Sequence, residues 1–254
     1  MAGELLPPPF SVVNENGASP FVLVCEHASR FIPESYEKLG LPESELTRHI
    51  AWDIGAERVG ISLSQFLDAP LILAGYSRLI IDLNRPLDSP TSIPEISELT
   101  VIPGNIGLSQ DERSRRAAFY FTPFHTRLTE ILDARLARGR RPIVIGIHSF
   151  TPVFKVVARP WHGGILFRRS ASFGKAFAAA LSGEDESVAE NQPYQIGSES
   201  DYTVPVHGEA RGLDAVIVEM RQDLIADDIG AAQWAGRLAV ALSASLARIV
   251  EAPA

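Results

Sequence analysis

Three short apolar runs, each ending in acidic or imidazole side chains, constrain this chain more than any other feature. Phe21-Val-Leu-Val-Cys25 leads into Glu26-His27, Ile143-Val-Ile-Gly-Ile147 into His148-Ser149, and Ala215-Val-Ile-Val218 into Glu219. Apolar runs of four or five residues read as strands buried on both faces of a parallel sheet. Open α/β sheets bind their ligands at the carboxyl ends of strands. Two histidines and two acids delivered there by separate strands would converge in space despite their distance along the chain. A metal hydrolase site is assembled in this way.

The rest of the pattern agrees. Strands are expected at 21–25, 71–74, 79–83, 143–147, 164–167 and 215–218, alternating with helices. Residues 55–67 place Val59, Leu63, Phe66 and Leu67 at helical spacing. A second helix is expected from Ser109, where Ser109-Gln-Asp-Glu112 matches a capping box. It should kink at Pro123 and run to about 138 with Leu128, Leu132 and Leu136 on one face. Residues 171–182 and 228–250 supply two more. The expected fold is therefore α/β: a single three-layer domain whose mostly parallel or mixed central sheet is flanked by helices. Two irregular stretches stand out, Asp88–Gly107 and 183–214. The first is longer than an ordinary connection and is expected to be functional.

At 254 residues the chain fits one large α/β domain, its core spanning about 20–250. Its 23 basic and 31 acidic residues give a formal charge of −8. That argues against a nucleic-acid or anionic-membrane binder, while leaving room for a local basic pocket. The lone cysteine, Cys25, excludes an internal disulfide and any cysteine-based metal knuckle. Its place inside an apolar run suits a small core residue. The opening residues lack a signal-peptide pattern, and no apolar stretch approaches the ~20 residues of a membrane span. A cytoplasmic location is expected.

Each candidate residue carries a structural alternative. His27 and His148 could each be satisfied core histidines. Their equivalent strand-end positions favour ligands instead, since zinc takes neutral imidazole and a catalytic zinc needs three protein ligands. Asp53 could be the third ligand or merely cap the following helix. Glu26 is the rival third ligand. Consecutive strand side chains point to opposite faces, so Glu26 and His27 could share an ion only where the strand has ended. Glu219, closing an apolar run, should be partly desolvated and its pKa raised toward that of a general base. Its alternative is an ion pair with Arg221 or Arg211. Arg78 and Arg85 flank the 79–83 run, and a guanidinium fork suits bidentate binding of a carboxylate. His207 lies on a Gly-bearing loop within reach of such a site. His49, His125 and His162 are individually weak candidates. No G-x-S-x-G elbow, Walker A loop, G-x-G-x-x-G or H-E-x-x-H is present.

Taken together, the motifs resemble the N-formylglutamate amidohydrolase family, in particular its broad, largely uncharacterised subgroup. The matching stretches are Val24-Cys-Glu-His-Ala-Ser29, His49-Ile-Ala-Trp-Asp53, Ser77-Arg78 with Asp82-Leu-Asn-Arg-Pro86, Thr122-Pro-Phe-His125 and Ile147-His-Ser149. They continue with Arg159-Pro-Trp-His162, Asn191-Gln-Pro-Tyr194, His207-Gly208 with Arg211-Gly212, and Val218-Glu-Met-Arg-Gln-Asp-Leu224. The family is similar to zinc carboxypeptidases and aspartoacylase. The resemblance implies one zinc per chain held by His27, Asp53 and His148, with Glu26 as the alternative ligand. It implies Glu219 as the base, with Asn84 and Arg85 on the substrate carboxylate, and Arg78 is the arginine expected at the oxyanion. Arg221, His207 and Ser149 are further expected substrate contacts. The implied substrate is a small anionic N-acyl amino acid such as N-formylglutamate. The carboxypeptidase pattern places Glu three residues after the first histidine; Arg30 stands there. Proven formylglutamate enzymes carry Pro where this chain has Glu26. A metal-free binding protein, or a zinc hydrolase of peptide-like substrates, are the competing expectations.

Overall fold

Side chains along the central strands alternate between two apolar surfaces, and that alternation sets the layers. In the computed structural model, which describes residues 6–182 and 187–251, seven strands form one sheet. They are β1 (Phe10–Val13), β2 (Phe21–Cys25), β3 (Leu71–Ala74), β4 (Ile143–Phe150), β5 (Gly163–Leu166), β6 (Val188–Glu190) and β7 (Ala215–Arg221). Their order across the sheet is β1-β3-β2-β4-β7-β5-β6. β3, β2, β4 and β7 are mutually parallel. β1 adds antiparallel at one edge, and β5 turns the sheet mixed by pairing antiparallel with β7. Parallel neighbours require crossover connections, and here helices supply most of them.

Four helices lie in these connections, α1 (Ala56–Leu67), α2 (Gln110–Arg116), α3 (Thr122–Leu136) and α4 (Ala171–Ser182), and α5 (Asp228–Glu251) follows the last strand. Leu23, Ile145, Ile147, Val216 and Val218 face one core, packed by Leu63 of α1, Phe177 of α4 and Leu238 of α5. The intervening Val22, Val24, Val144 and Ile217 face the opposite core, closed by Phe124 and Leu128 of α3. Both sheet faces are thus apolar and covered, as the unbroken apolar runs predict. The expected three-layer α/β architecture is what the chain adopts. Among the described residues no helix is long and apolar enough to cross a membrane.

Several local expectations need correction. Residues 79–83 are not a strand. Ile80, Ile81 and Leu83 are buried in the second core, but their backbone runs through turns: the Ile80 amide donates to Ser77 O at 3.0 Å and the Asp82 amide to Ser92 O at 2.7 Å. Buried side chains on two apolar partners satisfy the hydrophobic pattern without a ladder. The freed carbonyls are taken up by buried side chains. Arg116 donates to Ile80 O at 2.9 Å, and Asn105 donates to Leu79 O at 2.8 Å. Phe66 is 58% exposed while Val59 and Leu63 are fully buried, because the buried face of α1 is centred on Ala56, Val59, Gly60, Leu63 and Ser64 and Phe66 falls at its margin. At Pro123 the helix does more than kink. A π-helical turn over Ala117–Phe121 separates α2 from α3 and absorbs the residue whose carbonyl the proline ring would strike. Half of the capping box forms: the Glu112 amide donates to Ser109 Oγ, while the Glu112 carboxylate turns to Arg115 and Arg116. The short edge strands β1 and β6 carry no long apolar run and escape the pattern.

Candidate active site

The alternation that sorts the cores continues into the polar strand ends. Glu219 of β7 is the register partner of His148 of β4. Val24 of β2 is the partner of Gly146, so Glu26, two residues on, falls in the row of His148 and on its face. Glu26 Oε2 accordingly stands 3.1 Å from His148 Nε2, within ion-pair reach but off the line of a hydrogen bond. β2 ends at Cys25, and His27 sits in the turn that follows.

Asp53 arrives from the loop ahead of α1, its amide donating to His27 O at 3.0 Å. The helix cap is Gly55, not Asp53. Gly55 has φ +83°, and a Cβ there would meet Ile225 O at 2.3 Å, so glycine is required to make the turn. The Asp53 carboxylate is thereby left for the site. Its Oδ2 lies 2.9 Å from His148 Nδ1 and 3.3 Å from His27 Nδ1, and accepts the Ser149 amide at 3.3 Å.

One donor atom from each of His27, Asp53 and His148 lies within 4.8 Å of the others, all buried. Tetrahedral zinc with bonds of 2.0–2.2 Å sets its ligand atoms about 3.4 Å apart, close to the distances here. Each imidazole also turns its Nε2 toward a second carboxylate, His27 to Asp82 Oδ1 at 2.8 Å and His148 to Glu26. Metal-binding histidines are oriented by such partners.

The charge balance points the same way. Burial opposes ionisation of Asp53 and Asp82. The facing histidines overcome it at Asp53, and Arg78 and His27 overcome it at Asp82; both carboxyls are held well below their usual range. Glu26 is likewise drawn down to about 2 against its burial, chiefly by His148. Both imidazoles are raised despite burial, His148 by Glu26 and Asp53, His27 by Asp82 and Asp53. Three buried carboxylates against the one guanidinium of Arg78 leave two negative charges. Two imidazole protons neutralise them, and so does one divalent cation. The residues present therefore fit a divalent ion with nitrogen and oxygen ligands.

Beside this cluster, burial lifts the Glu219 carboxyl to about 7, and its Oε2 has no hydrogen-bond partner among the described residues. The arginines that could have paired with it are committed elsewhere, Arg221 to Asp223 at 2.8 Å and Arg211 to Asp133. A cavity of about 490 Å³ opens over the site, lined by the three cluster residues, Glu219, Arg78 and Asn84 among others. Arg78 Nη2 donates to Asp82 Oδ2 at 2.6 Å and its Nη1 to Asp53 Oδ1 at 3.4 Å. Ser149 also lines the cavity, its hydroxyl donating to Ile54 O at 2.9 Å. Asn84 and Arg85 reach the cavity from the irregular 77–85 segment.

Two expected contacts are not brought there. Arg221 closes β7 against Asp223, outside the cavity lining. His207 is buried behind the site, its Nε2 3.0 Å from His125 Nδ1, while His125 Nε2 donates to Leu83 O. Burial pushes His125 down to about 4 and His207 down to about 3, so both stay neutral. The expected loop Asp88–Gly107 does line the cavity, through Thr91, Pro94 and a small hairpin pairing Ile96–Ser97 with Thr100–Val101. His49 joins it there, 3.4 Å from Glu98. The partner of His27, Asp82, stands in a motif picked out from the sequence but carries no role in that reading. An acid flanked by Ile81 and Leu83, four residues from Arg78, was the available signal.

Fold and donor set define an α/β protein with a buried cluster suited to a divalent ion at the ends of its central strands. A family model described as N-formylglutamate amidohydrolase matches residues 19–226, and the chain belongs to that family. A solved gene product from Agrobacterium tumefaciens is 38% identical, with TM-score 0.93 over 96% of this chain and 97% of the other. The N-formylglutamate amidohydrolase of Ralstonia eutropha shares the fold at TM-score 0.69 and 18% identity, covering 97% of this chain and 100% of its own. No curated protein matches.

Proposed function

We propose that this chain is a zinc-dependent hydrolase cleaving the amide of a small, carboxylate-bearing N-acyl amino acid, N-formylglutamate being the reference case. The observation carrying the reading is the convergence of His27, Asp53 and His148 beside a protonatable, unpartnered Glu219. His27 and His148 would bind the ion through Nδ1 and Asp53 through Oδ2. When bound, zinc supplies Lewis acidity, polarising the acyl carbonyl and acidifying water.

The chain's own groups do the rest. Glu219, with a carboxyl lifted to about 7, takes the proton of the attacking water and returns it to the leaving amine. Arg78, kept charged by Asp82 and Asp53, faces the oxyanion. Asn84 and Arg85 orient the substrate carboxylate. Glu26 serves as the carboxylate behind His148, fixing its ring, rather than as a ligand. Ser149 holds Asp53 and the 53–54 turn in place.

The test is a panel of N-formyl, N-acetyl and N-succinyl amino acids and short peptides, offered to the zinc-loaded protein. Fastest turnover is expected with N-formyl amino acids. A protein that takes up no zinc and turns over none of the panel is a binding protein, and the proposal fails. Preference for peptides keeps the reaction and changes the substrate.

A further inference from the structure

Both guanidiniums that line the cavity are already committed to carboxylates of the chain itself. Arg78 is held by Asp82 and Asp53. Arg85 is held by Asp201, its Nη1 3.7 Å from Asp201 Oδ1, and donates to Ser200 O as well. The same Oδ1 accepts from Asn84 Nδ2 at 3.3 Å. One oxygen of Asp201 thus sits where an amide N–H and a guanidinium converge, an arrangement suited to a carboxylate. The other oxygen stays with its own turn, accepting the Gly197 amide at 3.0 Å and the Ser200 hydroxyl at 2.9 Å. Asn84 Oδ1 meanwhile accepts the Tyr202 and Thr203 amides, both at 3.0 Å. Asn84 therefore anchors the 201–203 segment by its oxygen and engages Asp201 by its nitrogen.

We infer that Asp201 is a specificity-determining residue: an internal carboxylate seated in the substrate-carboxylate subsite, displaced when an N-acyl amino acid binds. This rests on the reading of Asn84 and Arg85 as the groups that receive the substrate carboxylate. The consequence is selective. A simple monocarboxylate gains only the contacts Asp201 already makes, and must compete with a tethered rival. A substrate whose acyl end is also held in the inner cavity has the extra binding energy to win. The Tyr202 and Thr203 amide contacts to Asn84 Oδ1 do not involve the Asp201 carboxylate, so the segment keeps its anchor while the acid swings clear.

The experiment compares Glu219→Gln with Glu219→Gln/Asp201→Asn, both zinc-loaded, so that N-formylglutamate binds without turnover. Calorimetry should show at least about tenfold tighter binding in the double variant, since only a fraction of the parent presents an open subsite. Adding Arg85→Gln should abolish that gain. Equal or weaker binding in the double variant would mean that Asp201 positions Asn84 and Arg85 instead of competing for them, and overturns the inference. Asp201→Ser serves if the asparagine variant does not fold. Acetate separates this inference from the proposed reaction. If no N-acyl amino acid is hydrolysed or bound, yet acetate binds Asp201→Asn about tenfold more tightly than the parent and Arg85→Gln removes the gain, the reaction falls and the role of Asp201 stands.

Discussion

The cavity has two ends, and they are built differently. Most of the inner end hangs from adjacent parallel strands, with Asp53, Arg78 and Asp82 joining from irregular backbone: Glu26 and His27 follow β2, His148 lies within β4 and Glu219 within β7. Of these side chains all but Arg78 are buried. The outer end is carried by irregular backbone, with Asn84 and Arg85 in the 77–85 segment and Asp201 in the 197–203 segment. Its charges are only partly buried, the Arg85 side chain being 25% exposed, and they satisfy one another. A rigid frame can keep a carboxyl poised and unpaired, as Glu219 shows, because ladder hydrogen bonds and two packed cores hold the groups apart. Loop segments relax until their charges pair. The inner end thus suits chemistry that demands fixed geometry, and the outer end suits recognition that tolerates adjustment.

Substitutions at each end should break or sharpen that contrast. The largest effect is expected from His148→Ala, which removes one of the three proposed ligands and leaves Glu26 and Asp53 facing each other. Zinc content of the purified variant, by elemental analysis, should fall from one per chain to near zero. Retained stoichiometric zinc would place the ion elsewhere. Glu219→Gln should lower kcat by about 10²-fold or more with zinc content intact. Unimpaired turnover removes Glu219 from the mechanism.

The same substitution has a stability signature in the metal-free protein. The folded carboxyl at about 7 lies above its ordinary 4.5, so the fold binds this proton more tightly than the unfolded chain does. The favourable contribution is complete below the unfolded value and is lost as pH rises from there through 7. By linkage the loss reaches about 3 kcal/mol above that range. Glu219→Gln, which cannot ionise, should therefore gain on the parent by up to that amount between pH 5 and pH 8 in denaturant titrations. A pH-independent difference contradicts the burial argument. Glu26→Gln should weaken zinc affinity by about 10–100-fold, with Glu26→Asp recovering part of it. An unchanged dissociation constant would leave Glu26 without a role at His148. The smallest effect belongs to Arg221→Ala, outside both ends of the cavity: KM for the best substrate should move by less than about twofold.

The contrast also marks what could be read from the residues alone. The three central apolar runs identified β2, β4 and β7 because doubly buried strands leave a signal of composition rather than of period. Once those strands are placed side by side, His27, His148 and Glu219 must gather at one edge. Asp53 entered as a ligand through the family resemblance, whereas its place before a helix signalled the rival cap, a role that went to Gly55. The outer end was less legible. Ile80, Ile81 and Leu83 imitate a strand because burial, not backbone geometry, selects apolar side chains. Asp201 lies in a loop-rich stretch whose path is fixed by the Asn84 side chain, a contact no local pattern announces. Arg221 and His207 looked like site residues by proximity to Glu219 and to a glycine loop, but β7 ends in a turn that pairs Arg221 locally, and His207 is absorbed by His125.

The alignment of Glu26, His148 and Glu219 in one row carries an evolutionary consequence. Inserting or deleting one residue ahead of any of these positions, inside its strand, would invert that strand and send an acid or imidazole into the oily layer beneath α1 and α5. Such a lineage can lengthen these strands only in pairs of residues, whereas the loops bearing Asn84 and Asp201 can change by single steps. New substrate preferences should therefore arise at the rim long before the reaction itself can drift.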